Sequence, residues 1–115
     1  WIVGVNLANV SVSTSLARLS AVELFVHEYA HILHYYEYEL ADAFENEFWF
    51  RRSRDENDYV SDYAMESAEE DFAETFAYFV LNLKPMGDNV DEKLDFFYNS
   101  DTFWNIRKDI RGRLY

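Results

Sequence analysis

The sequence predicts a single α+β domain that is predominantly helical, with a small β-sheet at its N-terminal end. Its 115 residues are 50% hydrophobic and 19% aromatic, which is sufficient for one packed core. Only three Gly and one Pro are present, and this scarcity of turn residues favours long helices. The exception is the start of the chain, where the apolar residues around Gly4 and the alternation from Val10 to Ser13 predict two short strands.

Helical periodicity replaces this alternation after Ser15. Apolar residues at helical spacing predict a long helix from about Ser20 to about Glu39. Ser20 and Glu23 form a capping-box pattern at its start. The segment 42–54 is mixed, because its aromatic residues favour a short helix whereas the run from Arg51 to Arg54 favours a charged loop.

Three more helices are predicted in the second half of the chain. Ser67, three residues before Glu70, opens the first of them, which ends before Pro85. Two shorter amphipathic helices follow, over about Val90 to Tyr98 and about Asp101 to Leu114. Residues 1–115 are therefore expected to form one domain, in which a helical C-terminal lobe follows the sheet and the long helix.

The composition excludes several classes of function. The 22 acidic and 10 basic residues give a formal net charge of −12, and such a surface repels the phosphates of nucleic acids. Without cysteine the chain has no disulfide framework, no Cys-ligated zinc and no thiol nucleophile. No apolar stretch reaches the roughly 18 to 20 residues of a membrane span. The chain begins at Trp1 without an export leader, so we expect a mature product or an excised domain.

The histidines carry the clearest chemical signal. All three lie between positions 27 and 34, and two belong to His27-Glu28-Tyr29-Ala30-His31, an H-E-x-x-H pattern. At about 100° per residue, positions i and i+4 lie on nearly the same side of a helix, so both imidazoles can bind one ion. Glu28 can then reach a water on that ion without being a ligand. The alternative, ordinary histidines on a helix, is disfavoured because the pattern lies inside a well-patterned helix.

The third zinc ligand has to be a carboxylate, because catalytic zinc usually has three protein ligands and no histidine remains elsewhere. The helix that opens at Ser67 offers four candidates: Glu69, Glu70, Asp71 and Glu74. On a helical wheel Glu70 and Glu74 share their side with apolar residues, which indicates partial burial. The opposite side, predicted to be the more solvated one, contains Asp71, Thr75 and Tyr78.

Two other interpretations of this helix remain open at this point. Glu70 can be the N3 residue of a capping box with Ser67, and Glu74 can be an ordinary exposed carboxylate. His34 lies within about 20° of His27 around the long helix but about 10 Å further along its axis, so it is expected to neighbour the site without binding the ion. A di-iron carboxylate bundle needs a second Glu-x-x-His motif, which the clustered histidines cannot supply.

A second motif, from Tyr63 to Phe76, together with the H-E-x-x-H pattern indicates a resemblance to a known family. It runs Tyr63-Ala64-Met65-Glu66-Ser67-Ala68-Glu69-Glu70-Asp71-Phe72-Ala73-Glu74-Thr75-Phe76. With the H-E-x-x-H pattern it resembles the gluzincin metalloproteases of the family that contains the anthrax lethal factor catalytic domain and the secreted Pro-Pro endopeptidases. That family places a Tyr seven residues before the Glu of E-x-F-A-E-x-F. The segment from Thr102 to Ile110 also resembles its closing helix, so the similarity covers most of the chain after about Val10.

The resemblance implies a zinc-dependent endopeptidase with one zinc ion bound by His27, His31 and Glu70. It also implies that Glu28 is the general base, which takes the proton from the attacking water. Tyr63 would donate its hydroxyl to the oxyanion.

Further implications concern the surroundings of the zinc site. Glu74 would orient one of the ligand histidines. The substrate would be a protein or peptide that pairs in extended form along an edge strand near Val10 to Ser13. The same resemblance implies an extracellular, secreted location. The acidic surface is expected to tolerate basic or neutral substrate segments better than acidic ones.

The chain is short for this family, whose catalytic domains have additional elements before the strands. An upstream lobe that completes the cleft is therefore expected to be missing. The competing function is a catalytically silent binding or toxin-associated module that retains the metalloprotease fold, and the intact Glu28 argues against it.

Overall fold

A computed structural model describes residues 15–50 and 55–114 of the chain. These residues form five α-helices: α1 (Ser15–Tyr36), α2 (Tyr38–Phe48), α3 (Ala68–Leu81), α4 (Asp91–Tyr98) and α5 (Asp101–Leu114). Two short 3-10 helices, Glu56–Asp58 and Tyr63–Met65, lie between α2 and α3. None of the helices in these two ranges is long and apolar enough to cross a membrane.

The predicted α+β class is wrong for the described part of the chain, which is all-helical and has no strand in residues 15–50 and 55–114. The strands predicted around Gly4 and from Val10 to Ser13 lie outside the described residues. Period-2 alternation is confined to that N-terminal segment, and α1 already begins at Ser15. A β-sheet therefore contributes nothing to the core that the structure describes.

The long helix predicted from Ser20 to Glu39 is two helices. α1 begins five positions earlier, so Ser20 lies inside the helix and does not cap it. The chain turns at Glu37, and α2 then buries its apolar face through Ala41, Phe44 and Phe48. The predicted short helix of segment 42–54 thus belongs to α2, while the predicted charged loop at 51–54 lies outside the described residues.

α3 is the central helix and packs against the four other described helices. Ser67 caps its start, as predicted, because Ser67 Oγ accepts a 3.1 Å hydrogen bond from the backbone N–H of Glu70. Its end is set by Asn82, which adopts the left-handed conformation with φ 58°. Ten of the fourteen residues of α3 are buried. The position of α3 is therefore fixed from all sides.

Phenylalanine rings form the core around α3. Six of them, at 0% or 1% exposure, are Phe44, Phe72, Phe76, Phe79, Phe97 and Phe103. Most of their rings meet edge-to-face or tilted, as in the 4.9 Å centroid separation of Phe97 and Phe103, while Phe79 and Phe97 are stacked at 5.5 Å. Each such pair contributes roughly 0.5–1.5 kcal/mol beyond its buried area. This cluster connects α2, α4 and α5 to the central helix.

The predicted solvated side of α3 is wrong for two of its three residues. Asp71 and Thr75 are fully buried, and Tyr78 is half-buried. Asp71 Oδ2 lies 2.7 Å from Lys93 Nζ of α4 and accepts a 2.8 Å hydrogen bond from Trp49 Nε1. The helical wheel treats one face of α3 as exposed to water, whereas Trp49, directly after α2, and Lys93 of α4 supply polar partners to this face.

The loop after α3 fixes the segment that leads to Tyr63–Met65. Gly87 N–H donates to the carbonyl of Tyr59 at 3.0 Å, and Met86 N–H donates to that of Val60 at 2.8 Å. A Cβ at position 87 would lie 2.3 Å from the carbonyl oxygen of Asn57, so only glycine permits this approach. Residues 57–60 are thereby held against positions 86 and 87 of this loop.

Candidate metal centre

Two helices that are distant in sequence bring three ligand atoms together. α1 supplies the Nε2 atoms of His27 and His31, and the first turn of α3 supplies the carboxylate of Glu70. One ligand atom from each residue lies within 4.8 Å of the others, which makes these residues a candidate metal-binding triad. His27 is buried, and the other two are half-buried. The helical spacing of the H-E-x-x-H pattern therefore puts both imidazoles on the face of α1 that meets α3.

The distances within the triad are short enough for its atoms to share one metal ion. The two Nε2 atoms face each other at 3.1 Å, and Glu70 lies 3.4 Å from His27 Nε2 through Oε2 and 2.8 Å from His31 Nε2 through Oε1. Two ligands on one zinc ion, bound at about 2.0–2.1 Å in tetrahedral geometry, are separated by about 3.3 Å. The separations of 2.8–3.4 Å between the ligand atoms are therefore close to those expected around one bound ion.

The carboxylate of Glu70 also has an unsatisfied oxygen. Glu70 Oε2 is buried and has no hydrogen-bond partner in the described structure. A buried carboxylate oxygen without a donor is costly, and a metal ion is one group that removes this cost. Ser67 Oγ accepts only the backbone N–H of Glu70, while the Glu70 side chain faces the histidines. Ser67 therefore caps α3 through the Glu70 backbone, but the Glu70 side chain contacts the histidines and does not complete a capping box.

Glu74 lies behind His27, on the side away from the ligand atoms. Its Oε2 accepts a 2.7 Å hydrogen bond from Nδ1 of His27, because a carboxylate can only accept. The Nδ1 proton fixes the tautomer and leaves the Nε2 lone pair directed at the triad. Burial acts to raise the pKa of Glu74, but hydrogen bonds from His27 and Ser61 lower it below its ordinary value. The alternative of an ordinary exposed Glu74 is wrong, since the residue is 8% exposed.

The pKa of His27 responds to the same arrangement. Burial acts to lower it, but the hydrogen bond to Glu74 and the negative charges of Glu74, Glu70 and Glu28 raise it above its ordinary value. Carboxylates thus surround this imidazole on both of its nitrogen sides. Such an environment stabilises a positive charge at the position between His27, His31 and Glu70.

Glu69 occupies the corresponding position behind His31. Its Oε1 lies 3.3 Å from Nδ1 of His31, in a more exposed setting than the Glu74 contact. The sequence offered Glu69 only as a candidate ligand, yet the structure places it where it orients one. Each histidine of the triad therefore has a carboxylate on Nδ1, a pattern that is common around bound metals.

Glu28 and Tyr63 line one cleft together with His27 of the triad. The cleft has a volume of about 300 Å³ and is lined by Glu23, Leu24, His27, Glu28, Tyr63 and Glu74. The ring centroid of Tyr63 is 5.5 Å from that of His27, and Tyr63 is 49% exposed. A hydrogen bond with Glu70, and then the charge of Glu70, raise the pKa of the Tyr63 hydroxyl. The hydroxyl therefore stays protonated at the edge of the triad.

Three residues near the site were not assigned these positions from the sequence. Ser61 donates a 2.6 Å hydrogen bond to Glu74 Oε1, Glu23 lines the cleft, and Glu69 contacts His31. Glu23 lies four residues before His27, and this helical spacing is a signal that could have identified it. Ser61 carries no comparable signal. His34 lies outside the triad and packs its ring against Phe72 at a centroid distance of 5.3 Å.

Comparisons of the chain with protein families, with curated proteins and with solved structures find no match. The resemblance to gluzincin metalloproteases accordingly stays a prediction. The case for a function therefore rests on the contacts of the triad and the cleft.

Proposed function

We propose that the protein is a zinc-dependent endopeptidase that hydrolyses peptide bonds with an activated water. The main support is that the two histidines of an H-E-x-x-H helix meet Glu70 of a separate helix, beside a cleft that His27 lines together with Glu28 and Tyr63. A structural metal site alone would not need a carboxylate and a tyrosine hydroxyl at the same opening.

The donor set favours zinc. Two imidazoles and one carboxylate are the ligands of many catalytic zinc sites, and three protein ligands leave a position for water or substrate. His27, His31 and Glu70 would bind the ion, while Glu74 and Glu69 hold the two imidazoles in orientation. When bound, zinc acts as a Lewis acid that polarises the scissile carbonyl and lowers the pKa of water.

Glu28 is suited to move the proton. It precedes Tyr29 on the same helix as the histidines, is half-buried, and lines the cleft without being part of the triad. Its carboxylate would take the proton of the attacking water and deliver it to the leaving amine, which is the role of a general base followed by that of a general acid.

Tyr63 is suited to bind the developing negative charge. Its hydroxyl lies at the edge of the triad beside Glu70 and is reachable from the cleft. A donor there would stabilise the oxyanion that forms when the carbonyl becomes tetrahedral. The half-exposed ring leaves Tyr63 free to meet a substrate in the cleft.

The charge of the cleft indicates the kind of peptide it accepts. Three of its six lining residues, Glu23, Glu28 and Glu74, are acidic, and the chain has a net charge of −12. Such a field favours neutral or basic peptide segments over acidic ones.

The test is a digest of a mixed peptide library by zinc-loaded protein, read by mass spectrometry, with Glu28→Gln as the decisive variant. Glu47→Gln, an exposed residue of α2, is the matched control. The parent and the control should cleave, whereas Glu28→Gln should retain zinc and lose roughly 10²- to 10⁴-fold in rate. A zinc-loaded parent that cleaves no peptide would instead support a silent metal-binding module.

A further inference from the structure

Ser61 lies at a junction between the metal centre and the turn that carries Tyr63. Its hydroxyl donates a 2.6 Å hydrogen bond to Glu74 Oε1 and accepts a 3.2 Å hydrogen bond from the backbone N–H of Ala64. Ala64 follows Tyr63 in the 3-10 helix Tyr63–Met65. One small side chain therefore contacts both α3 and this turn.

The contacts continue from Glu74 to the metal ligands. Glu74 accepts from Ser61 with Oε1 and from His27 Nδ1 with Oε2, so each of its oxygens has one partner. His27 in turn presents Nε2 to Glu70 and His31. The hydrogen bonds thus form an unbroken series from the amide of Ala64, through Ser61 and Glu74, to His27.

The direction of each hydrogen bond in this series is determined. The Ala64 N–H can only donate, so Ser61 Oγ accepts it, and the Ser61 O–H is left to donate to the carboxylate. Glu74 accepts both of its bonds, which leaves the Nδ1 proton on His27. Because no step of the series can reverse without losing a bond, its members are expected to hold one another in a single arrangement.

We infer that Ser61 is a positioning residue that couples the orientation of His27 to the position of Tyr63. Without the Ser61 hydroxyl, Glu74 Oε1 loses its donor in a largely buried position and the carboxylate can rotate. The Ala64 amide loses its acceptor at the same time, and the turn that places Tyr63 loosens. The inference rests on the proposed metal centre and adds a residue that acts through Glu74 on the ligand and through Ala64 on the tyrosine.

Four variants test this coupling. Ser61→Ala removes the hydroxyl, and Ser61→Thr keeps it. Ser61→Val is nearly isosteric with Ser61→Thr, so this pair isolates the hydroxyl even if Ser61→Ala does not fold. Ser100→Ala is the matched control, because Ser100 Oγ likewise accepts a backbone N–H, that of Phe103, at the start of α5.

The first measurement needs no metal and no substrate. Amide hydrogen exchange of Ala64, followed by NMR in metal-free protein, should be at least about 10-fold faster in Ser61→Ala and Ser61→Val, since a lost acceptor exposes the amide to local opening. Ser61→Thr should exchange as the parent does. Ser100→Ala should accelerate exchange at Phe103 and leave Ala64 unchanged.

The second measurement is zinc affinity by competition with a chromogenic chelator. Ser61→Ala and Ser61→Val should bind zinc about 10-fold more weakly, at the low end of what loss of an orienting partner costs a metal site. Ser61→Thr and Ser100→Ala should match the parent. If peptides are cleaved, kcat should fall in the two hydroxyl-free variants with KM nearly unchanged.

The outcomes separate this inference from the proposed function. Parental zinc affinity in both hydroxyl-free variants overturns the coupling, as does parental exchange at Ala64. If Ser100→Ala also speeds exchange at Ala64 and weakens zinc binding as much as Ser61→Ala does, the cause is a general loss of stability, which overturns the coupling as well. A protein that binds zinc in this manner but cleaves no peptide would contradict the proposed protease and leave both measurements of Ser61 valid.

Discussion

Glu74 Oε2 accepts a 2.7 Å hydrogen bond from Nδ1 of His27, across 47 positions of sequence. Glu70, one turn earlier on α3, contacts Nε2 of the same imidazole. Two carboxylates of α3, at i and i+4 spacing, therefore contact the two ring nitrogens of His27. The packing of α1 against α3, which buries Val26, Ala30 and Leu33 of α1, sets the geometry of the triad directly.

Zinc should bind at about one ion per chain and stabilise the fold. Since the triad joins α1 to α3, an ion bound there adds a contact that the unfolded chain lacks, worth about 2.7 kcal/mol at a free concentration of 100 times Kd. The melting temperature should rise with zinc and fall again with chelator. Magnesium, which prefers oxygen ligands, is the control and should have little effect. An unchanged melting temperature on zinc addition would contradict the metal centre.

Glu70 of the triad and the two carboxylates that contact its histidines, Glu74 and Glu69, should differ in their effect on zinc affinity. Glu70→Ala removes a ligand and should weaken affinity the most. Glu74→Ala removes the buried partner of His27 and should cost about 10- to 100-fold. Glu69→Ala removes a longer, more exposed contact with His31 and should cost less than either.

The predicted order of loss, Glu70→Ala before Glu74→Ala before Glu69→Ala, is checked by measuring the zinc affinity of each variant in competition with a chelator. Glu66→Ala is the matched control, because Glu66 is an exposed carboxylate just before Ser67. Equal affinity in Glu70→Ala and the parent would transfer the third ligand to another carboxylate.

Lys93 should contribute strongly to stability, because it is the buried cation that pairs with Asp71. It is 5% exposed, lies 2.7 Å from the fully buried Asp71, and donates a 2.7 Å hydrogen bond to the carbonyl of Asp58. Lys93→Ala leaves Asp71 as a buried carboxylate without its cation, which should lower the free energy of unfolding by about 3–5 kcal/mol. Lys108→Ala, an exposed residue of α5, should stay within about 0.5 kcal/mol of the parent.

The comparison is made by urea denaturation in the presence of chelator, so that any change in metal affinity does not contribute. A Lys93→Ala variant as stable as Lys108→Ala would show that Asp71 finds another partner. Asp71 adjoins Glu70 on α3, so this buried pair also supports the start of the helix that supplies the third ligand.

The sequence predicted what depends on local spacing. The i, i+4 separation of His27 and His31 is enough to place both on one helix face, and Ser67 is enough to start α3. The pairing of that face with Glu70 depends on how α1 crosses α3, which no local pattern contains. The break at Glu37 was missed because neither Gly nor Pro marks it.

The errors on α3 have a different physical cause. A helical wheel assumes that one side of a helix faces water, but α3 packs against four other helices, and Asp71 on the predicted solvated side is buried with Lys93 as its partner. Ser61 could not be predicted, because its role depends on the meeting of Glu74 with a turn 10 residues before it in the sequence. The predicted N-terminal strands lie outside the described residues, and the described part of the chain is all-helical.

Tyr63→Phe is the sharpest test of the proposed reaction, because it deletes one hydroxyl and leaves the ring beside His27. The hydroxyl would stabilise charge that develops only in the transition state, so kcat should fall by roughly 10²- to 10³-fold while KM and zinc content barely change. Tyr36→Phe is the matched control, since Tyr36 is an exposed tyrosine at the end of α1 and should cleave at the parental rate. A Tyr63→Phe variant with normal kcat but a lower melting temperature would make the ring a packing residue. The oxyanion role would then fall to another donor in the cleft.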